Sequence, residues 1–588
     1  MLGGVSPAQV RRIVQEARSA GRSPLPPADD PALPDRAMRI AEAQGLRDRL
    51  VRELTPAKPI EALPYSRLRA LLKTGSREGY EALFYDRSNQ MELAALACWL
   101  GMDYRDYLHD LLWAQCEATS WVMPCHAGPG DPIDLWAAMM ARWLASIVTW
   151  LDGQIDPEVR VRVAEEVRRR VLDEFLNPQA TCWWKTCTNN WNAVCHAGVA
   201  IAAMVLEKDQ ERLTRILTET LAGLEAFLEG FTADGGCGEG PSYWAYGVGW
   251  YADLAACLYD FTGGEVNIMA GPRVERICRY PLAAWVRPGQ VLAFADADHC
   301  DVGLTTAINI NRFHAVPELF GLCRLNADGS APVGTLDELL RYDGVKYRPL
   351  DDHADYHLPE LHQVIIRTGA VTVGAKAGHN GVSHNHNDVG SFVVHRGRTF
   401  FLCDPGRPIY SGTTFSDRRY ESVFCNSIGH SVPVIDGRPQ QPGQQFGGTL
   451  EIEGLNRPGG KTIRIEMAGA YDVPALKRLT RVVTLSPDGR HVRIADTFAF
   501  TGEPALVKEA FLTACPAEVS EGGASVTIRS EADGAVRLGC ERTAGKFSVD
   551  ELTEESAESA AGELLRRIAF RPEALESNMT LSFSLDLS

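Results

Sequence analysis

The sequence predicts a multidomain α+β chain, a helical half followed by an antiparallel β half. From about residue 36 to 342 apolar residues recur every three or four positions, the period of an amphipathic helix. From about residue 360 they alternate every two, the period of a half-buried strand. The length of 588 residues exceeds one core and leaves room for two to four domains at roughly 150 residues each. Many helices followed by many strands imply segregated domains.

Taken in order, MLGGVSPAQVRRIVQEARSAG reads as an amphipathic helix, and SPLPPADDPALPD (23–35) as a Pro-rich segment, so residues 1–35 form an N-terminal piece. Helices are predicted at Arg36–Leu54, Gln90–Leu112, Ile133–Leu151, Pro157–Leu176, Trp191–Glu207, Gln210–Leu228, Tyr243–Phe261 and Thr335–Arg341. Turn chemistry such as LDGQIDPE and TADGGCGEGP separates them. Residues 36–342 thus make a helical domain, and hairpins of near-constant size would suit a toroid of paired helices. DGVKYRPLDDHADYHLPEL (343–361) is the natural linker. Over 362–588, VIIRTGAVTVGAKAG, GSFVVHRGRTFFLCDPG, KRLTRVVTLSPDGRHVRIADTFAF, ASVTIRSEADGAVRLGCE and MTLSFSLDLS read as strand pairs around Gly or Asp-Gly turns.

The composition, 45% hydrophobic and 23% charged, is that of an ordinary globular chain. A net charge of −17 argues against a broad basic surface for nucleic acid or anionic membrane. An enzyme acting on polyanions would have to gather its Lys and Arg locally. The 15 cysteines follow no paired spacing, and Cys98, Cys195 and Cys257 sit in apolar helical runs as small hydrophobes. The N-terminus has no apolar h-region, so a cytoplasmic location is expected, a periplasmic or secreted one if a leader had been trimmed. The longest apolar stretch, Val194 to Leu206, is too short to span a bilayer. The oligomeric state is left open, with a homo-oligomer allowed.

Three clusters could carry chemistry. GHNGVSHNHNDVGSFVVHRGRTFFLCDPG (378–406) holds His379, His384, His386, Asp388 and Asp404. In an extended strand His384 and His386 share a face, and a turn at Arg396–Arg398 returns Asp404 beside them. With His430 from NSIGHSV, imidazoles and a carboxylate make a set for a Zn²⁺-like ion; the bland reading is a surface His-Asn turn. In ADGGCGEGPSYWAYGVGWY (233–251), Glu239 and the hydroxyls of Tyr243, Tyr246 and Tyr251 suit an aromatic sugar-binding wall, against the alternative of an aromatic core face. In WWKTCTNNWNAVCHAG (183–198), Asn189, Asn190 and Asn192 exceed what one N-cap requires. WVMPCHAGPGDPIDLW (121–136) adds His126.

In that order, TNNWNAVC, DGGCGEGPSYWAYG, HNHNDVGSF and CDPG resemble the heparinase II/III superfamily of polysaccharide lyases over about residues 120–450. The resemblance implies an N-terminal (α/α) toroid joined to a C-terminal antiparallel β-sandwich. It implies cleavage of uronic-acid glycans (heparan sulfate, hyaluronan, chondroitin sulfate or alginate) by β-elimination to 4,5-unsaturated uronates. Asn190 matches the Asn that binds the uronate carboxylate, and Trp191 stands where several members carry a His base. Tyr246 matches the catalytic Tyr, with Tyr243 as the alternative, and His384 resembles the His facing substrate. His386, Asp404 and His430 resemble ligands of one mainly structural divalent ion, zinc first, with manganese or calcium as alternatives. His126, Trp191, Glu239, Tyr243, Arg418, Arg419 and Tyr420 complete the expected substrate contacts.

The chemistry asks for these types. The uronate charge must be damped before C5 gives up its proton, a task for Asn190 and His384. Tyr246 acting as both base and acid makes the elimination syn. Bringing a phenol from a pKa of about 10 to about 7 takes roughly 4 kcal/mol, which a cation such as His384, Arg418 or Arg419 would supply in part. The rival readings are a glycoside hydrolase using Glu239 and Asp234, a non-catalytic carbohydrate-binding protein, and a metal-dependent hydrolase.

Overall fold

The computed structural model describes residues 4–26, 30–75, 77–126, 131–350 and 354–588. Positions 27–29 of the Pro-rich segment, 127–130 of the His126 loop and 351–353 of the linker lie outside the described residues. The chain forms two compact units. One comprises Met1–Phe231, Trp244–Cys278 and Val302–Pro349, the other Thr232–Tyr243, Arg279–Asp301 and Leu350–Ser588.

The first unit is helical. Its centre is Asn190–Leu206, whose residues are nearly all buried because the run NWNAVCHAGVAIAAMVL is apolar on every face. It packs on Leu135–Trp150 so closely that a Cβ at Gly198 would lie 2.3 Å from the Ala138 carbonyl oxygen. Gln210–Glu229 covers another side, and Pro7–Ser19 docks on that helix through an Arg11–Glu211 ion pair of 2.8 Å. Pro7–Ser19 therefore does not stand apart from the helical unit. Two predicted helices are broken by glycines in the left-handed region. Gly45 (φ 59°) separates Leu33–Ala43 from Leu46–Glu53, and Gly101 (φ 73°) lies between Glu78–Trp99 and Arg105–Glu117. Asp134 caps Leu135–Trp150 by accepting from the Ala137 N–H at 2.8 Å, and Thr335 with Glu338 forms a capping box on Leu336–Arg341. Deeper in, Arg142 and Arg341 share Asp253 and Asp337 at 2.9–3.1 Å, so four buried charges neutralise one another. No described helix is long and apolar enough to cross a membrane.

The second unit is built on antiparallel sheets. Tyr356–Leu358, Gln363–Thr368, Val371–Lys376, Phe392–Arg396 and Thr399–Leu402 form a five-stranded sheet in which each strand pairs with the next. A nine-stranded sheet runs from Ala517–Val519 at one edge to Gly378–Asn380 at the other, and a four-stranded sheet contains Val507–Thr513 and Arg566–Pro572. In His491–Phe500 every second side chain is buried, as the alternation required. Val373 and Phe392 of the first sheet, Ile494 and Phe583 of the second and Phe511 of the third share one core. No disulfide joins any of the fifteen cysteines.

A linker boundary at 343–361 would leave 232–243 and 279–301 with the helices, but both join the strand-rich unit. Gly240 (φ 97°) permits this, since a Cβ there would lie 2.9 Å from the Phe294 carbonyl oxygen. Gln363 donates to Ala283 O at 3.2 Å and Arg367 to Trp285 O at 2.9 Å, anchoring 279–301 to the five-stranded sheet. These two insertions supply Glu239, Tyr243 and Asp296 of the cluster described next.

Candidate active site

In the strand-rich unit the candidate residues gather around one carboxylate that the motifs did not flag. Asp296, fully buried, accepts from His384 Nδ1 at 2.7 Å, His386 Nε2 at 3.0 Å and Arg419 Nη2 at 2.6 Å. Burial alone would raise its pKa, but these three donors hold it well below the usual carboxylate range. An ionised carboxylate only accepts, so the His384 Nδ1 carries a proton and its Nε2 is left to act. His384 and His386 do not lie on the extended strand that the sequence suggested. Residues 381–391 are a loop, with His384 at φ 55°, a conformation costly for a non-glycine residue. The Asp296 carboxylate, rather than strand alternation, brings the two rings together.

The ring of Tyr243 lies against His384, centroids 4.5 Å apart, and its hydroxyl sits 2.6 Å from that of Tyr410. Burial, then Tyr410, Asp296 and Glu239, raise the Tyr243 pKa well above the ordinary phenol value. This reverses the expectation of a tyrosine drawn down toward 7. The arginines assigned to that task are committed elsewhere, Arg419 to Asp296 and the exposed Arg418 to Glu421 at 2.7 Å. Glu239, raised by burial and partly offset by His384 and Ser383, completes the cluster. Phe415, exposed, stands edge-on to Tyr410 at 4.9 Å. Tyr420 is instead packed against Phe424 and Cys425 in a small core. Asp234 is engaged in a turn, accepting from Thr232 Oγ1, Gly236 N and Glu360 N at 2.5, 3.2 and 2.7 Å.

Among the described residues two groups could hold a metal ion: Asp296, His386 and Cys425, or His386, Asp404 and His430. In the first, both Asp296 oxygens are taken and burial pushes the Cys425 thiol up to about 12. The second fits better. His430 presents Nε2 to the Phe424 carbonyl at 3.0 Å and Nδ1 to Asp404 at 3.0 Å. A neutral ring donating from Nε2 has a bare Nδ1 facing that carboxylate, an arrangement that a proton or a cation must relieve. His386 Nδ1 is buried without a hydrogen-bond partner among the described residues. Carbonyl-oriented imidazole, buried carboxylate and unspent imidazole nitrogen are donors suited to zinc.

The helical unit holds the remaining candidates. Asn189 is the N-cap of Asn190–Leu206 and accepts from Trp191 N at 3.2 Å. The Asn192 amide donates to Cys187 O and Gly223 O, both at 2.9 Å. Among the described residues the Asn190 side chain makes no hydrogen bond, whereas Asn189 uses its oxygen and Asn192 its nitrogen. Trp191 packs edge-on to His126 at 4.8 Å and beside Trp183 at 5.0 Å. Burial opposes charge on His126, but the 2.9 Å bond to Asp134 and the adjacent Cys125 outweigh it and raise its pKa to about 9. It is therefore an imidazolium at neutral pH. Tyr246 directs its hydroxyl at Met139 Sδ, 3.3 Å away, and burial raises its pKa well above the ordinary value.

Sequence reasoning missed Asp296, Tyr410, Phe415 and Asp134. Only Asp134 carried a signal, as an N-cap before an apolar run.

The fold is shared with polysaccharide lyases. The heparan sulfate lyase of Pedobacter heparinus superposes with a TM-score of 0.53 at 12% identity, over 85% of this chain and 75% of that one. A heparinase III, the BT4657 gene product, gives 0.58 at 13% identity over 97% and 92%. The Streptomyces coelicolor A3 chondroitin AC lyase gives 0.52 at 12% over 99% and 82%. Direct comparison with curated protein sequences gives no match. Residues 351–572 match the family model "Heparinase II/III-like, C-terminal".

Proposed function

We propose that the chain is a polysaccharide lyase that cleaves uronic-acid glycans by β-elimination. The family match and the lyase fold support the class. The observation that carries the mechanism is Asp296 fixing the His384 tautomer while Tyr243 stacks on the same ring. In neutral His384 the Nε2 lone pair takes the C5 proton. The C5–H electrons become the C4=C5 double bond and the C4–O4 bond breaks. Tyr243, kept protonated by its surroundings, gives its proton to the departing O4 oxygen, and Tyr410 Oη at 2.6 Å supports the phenolate left behind. Base and acid are then separate groups, in place of the single Tyr246 that the motif match suggested. Phe415 offers a face for a sugar ring.

In the helical unit, the free amide of Asn190 and the His126 imidazolium are groups suited to an acidic sugar's carboxylate. They would gather local positive character in a chain of net charge −17. His386, Asp404 and His430 would hold one divalent ion, zinc by donor type, with manganese or calcium as alternatives. When bound, such an ion ties the 381–391 loop to the Asp404 and His430 segments and thereby steadies His384 from behind.

The solved relatives act on heparan sulfate and chondroitin, so heparan sulfate, chondroitin sulfates, hyaluronan and alginate are the substrates to offer. Ultraviolet absorbance of a 4,5-unsaturated uronate, with product masses lacking an added water, is the expected outcome. Products that each carry the elements of water and no absorbance would replace this reading with hydrolysis.

A further inference from the structure

The helical unit contains a cavity of about 440 Å³ whose lining includes Arg22, Arg36, Arg312, Arg341, Asp260 and Asn309. It shares no residue with the groups assigned to lyase chemistry. Asp260 and Tyr246 lie on one helix, Pro241–Phe261, fourteen residues apart, which is about 21 Å along the axis.

The hydrogen bonds around this cavity are unbalanced. Both Asp260 oxygens accept from Arg312, at 2.5 and 2.9 Å. Arg36 is bound to Asp30 at 2.8 Å. Arg341 is held by Asp253 and Asp337, and it donates to Asn309 Oδ1 at 3.1 Å. The acceptor oxygens of Asp260 and Asn309 are thus in use. Donors remain. Among the described residues, Asn309, only 1% exposed, has no acceptor for its Nδ2, and Arg22 Nη1 and Arg36 Nε are buried without one. Arg22 forms no ion pair among the described residues, and Glu265, whose carboxylate senses it, is bound by Arg12 at 2.6 Å. Gly263 (φ 63°) seats the guanidinium, since a Cβ there would fall 2.6 Å from Arg22 Cζ.

Buried donors without acceptors are costly, and a small-molecule site is recognised by a few convergent polar groups in a cavity of roughly 300–1,000 Å³. We propose that this cavity binds a small organic anion through Arg22 and Asn309. Its ligand supplies the missing acceptors as a carboxylate, phosphate or sulfate on a body about the size of one sugar. Arg36, Arg312 and Arg341 already have carboxylate partners, so the one unmatched positive charge, that of Arg22, selects against a neutral sugar.

The test is calorimetric titration and thermal unfolding of the full chain with a hexuronate, a hexose phosphate, inorganic sulfate and an uncharged hexose. At least one anion binds saturably, one per chain, and raises Tm, and the hexose does neither; comparison of the first two separates carboxylate from phosphate as the preferred chemistry. Arg22→Gln weakens that binding roughly tenfold or more while leaving the ligand-free Tm unchanged or raised, because no ion pair is lost. Asn309→Asp keeps the oxygen that Arg341 uses, replaces the donor with an acceptor and abolishes binding, so it decides the matter if the first variant folds poorly. Absence of saturable binding by every anion, equal binding of the hexose, or affinity that survives both substitutions overturns the proposal. None of these readouts depends on lyase turnover.

Discussion

Replacing Asp296 with asparagine changes one oxygen into an amide nitrogen at the centre of the histidine cluster. One Asp296 oxygen receives Arg419 at 2.6 Å and His386 at 3.0 Å, the other His384 at 2.7 Å. The amide keeps its oxygen toward the arginine, the stronger donor, which turns its NH₂ toward His384 Nδ1. Two donors cannot face each other at that distance, so Nδ1 becomes an acceptor and the ring proton moves to Nε2. The base is then blocked without any change of shape. The equivalent tautomer error in a serine-protease triad lowers kcat about 10⁴-fold, and about 10³- to 10⁴-fold, or roughly 4–5.5 kcal/mol, is expected here. Weakening the charge-assisted bonds costs about 1.5–3 kcal/mol of stability. Because the Asp296 pKa is depressed in the folded state, that stability is present above the unfolded value and lost as pH falls through the acid range. The Asn variant lacks this acid-limb contribution. Initial rates of unsaturated-uronate formation and urea unfolding measure the two effects. A variant with kcat within about tenfold of the parent would refute the role given to His384.

Two further outcomes follow from the same geometry. His126, raised to about 9, contributes stability that is complete below its unfolded pKa of about 6.5 and lost as pH rises through about 9, worth about 3 kcal/mol; Asp134→Asn should remove that alkaline dependence, and identical denaturation profiles for both proteins between those limits would contradict it. For the metal, elemental analysis should find one divalent ion per chain, absent from His430→Ala, with chelation lowering Tm and activity failing only as the loop loosens; equal metal content in parent and variant would discard the His386, Asp404 and His430 set.

How much of this could be read from the residues depends on which interactions are local. The period-two alternation of His491–Phe500 and the all-round apolar run of Asn190–Leu206 each register one dominant burial pattern, so the helical and strand-rich regions were legible. Helix breaks at Gly45 and Gly101 were not, because apolar spacing continues across them while the backbone turns left-handed. The histidine cluster was legible as density of residue type, but its geometry was not. Residues 381–391 follow neither period, and their anchor, Asp296, lies 88 and 90 residues upstream of the histidines it binds. One aspartate of three in a short insertion, beside Asp298 and Asp301, carries no local signature. Choosing between Tyr243 and Tyr246 was beyond sequence for a specific reason. The division between units falls after Tyr243, inside the first turn of Pro241–Phe261, so neighbouring tyrosines on one helix serve different units.

The most direct measurement compares Tyr243→Phe and Tyr246→Phe in one assay of unsaturated-uronate release. With the ring stack on His384 kept and only the hydroxyl removed, Tyr243→Phe should lose about 10²- to 10⁴-fold in kcat with little change in KM, while Tyr246→Phe, giving up a contact with a methionine sulfur, should stay within about tenfold of the parent. Near-normal turnover by Tyr243→Phe, with activity abolished in Tyr246→Phe, would contradict the assignment of acid and base made here.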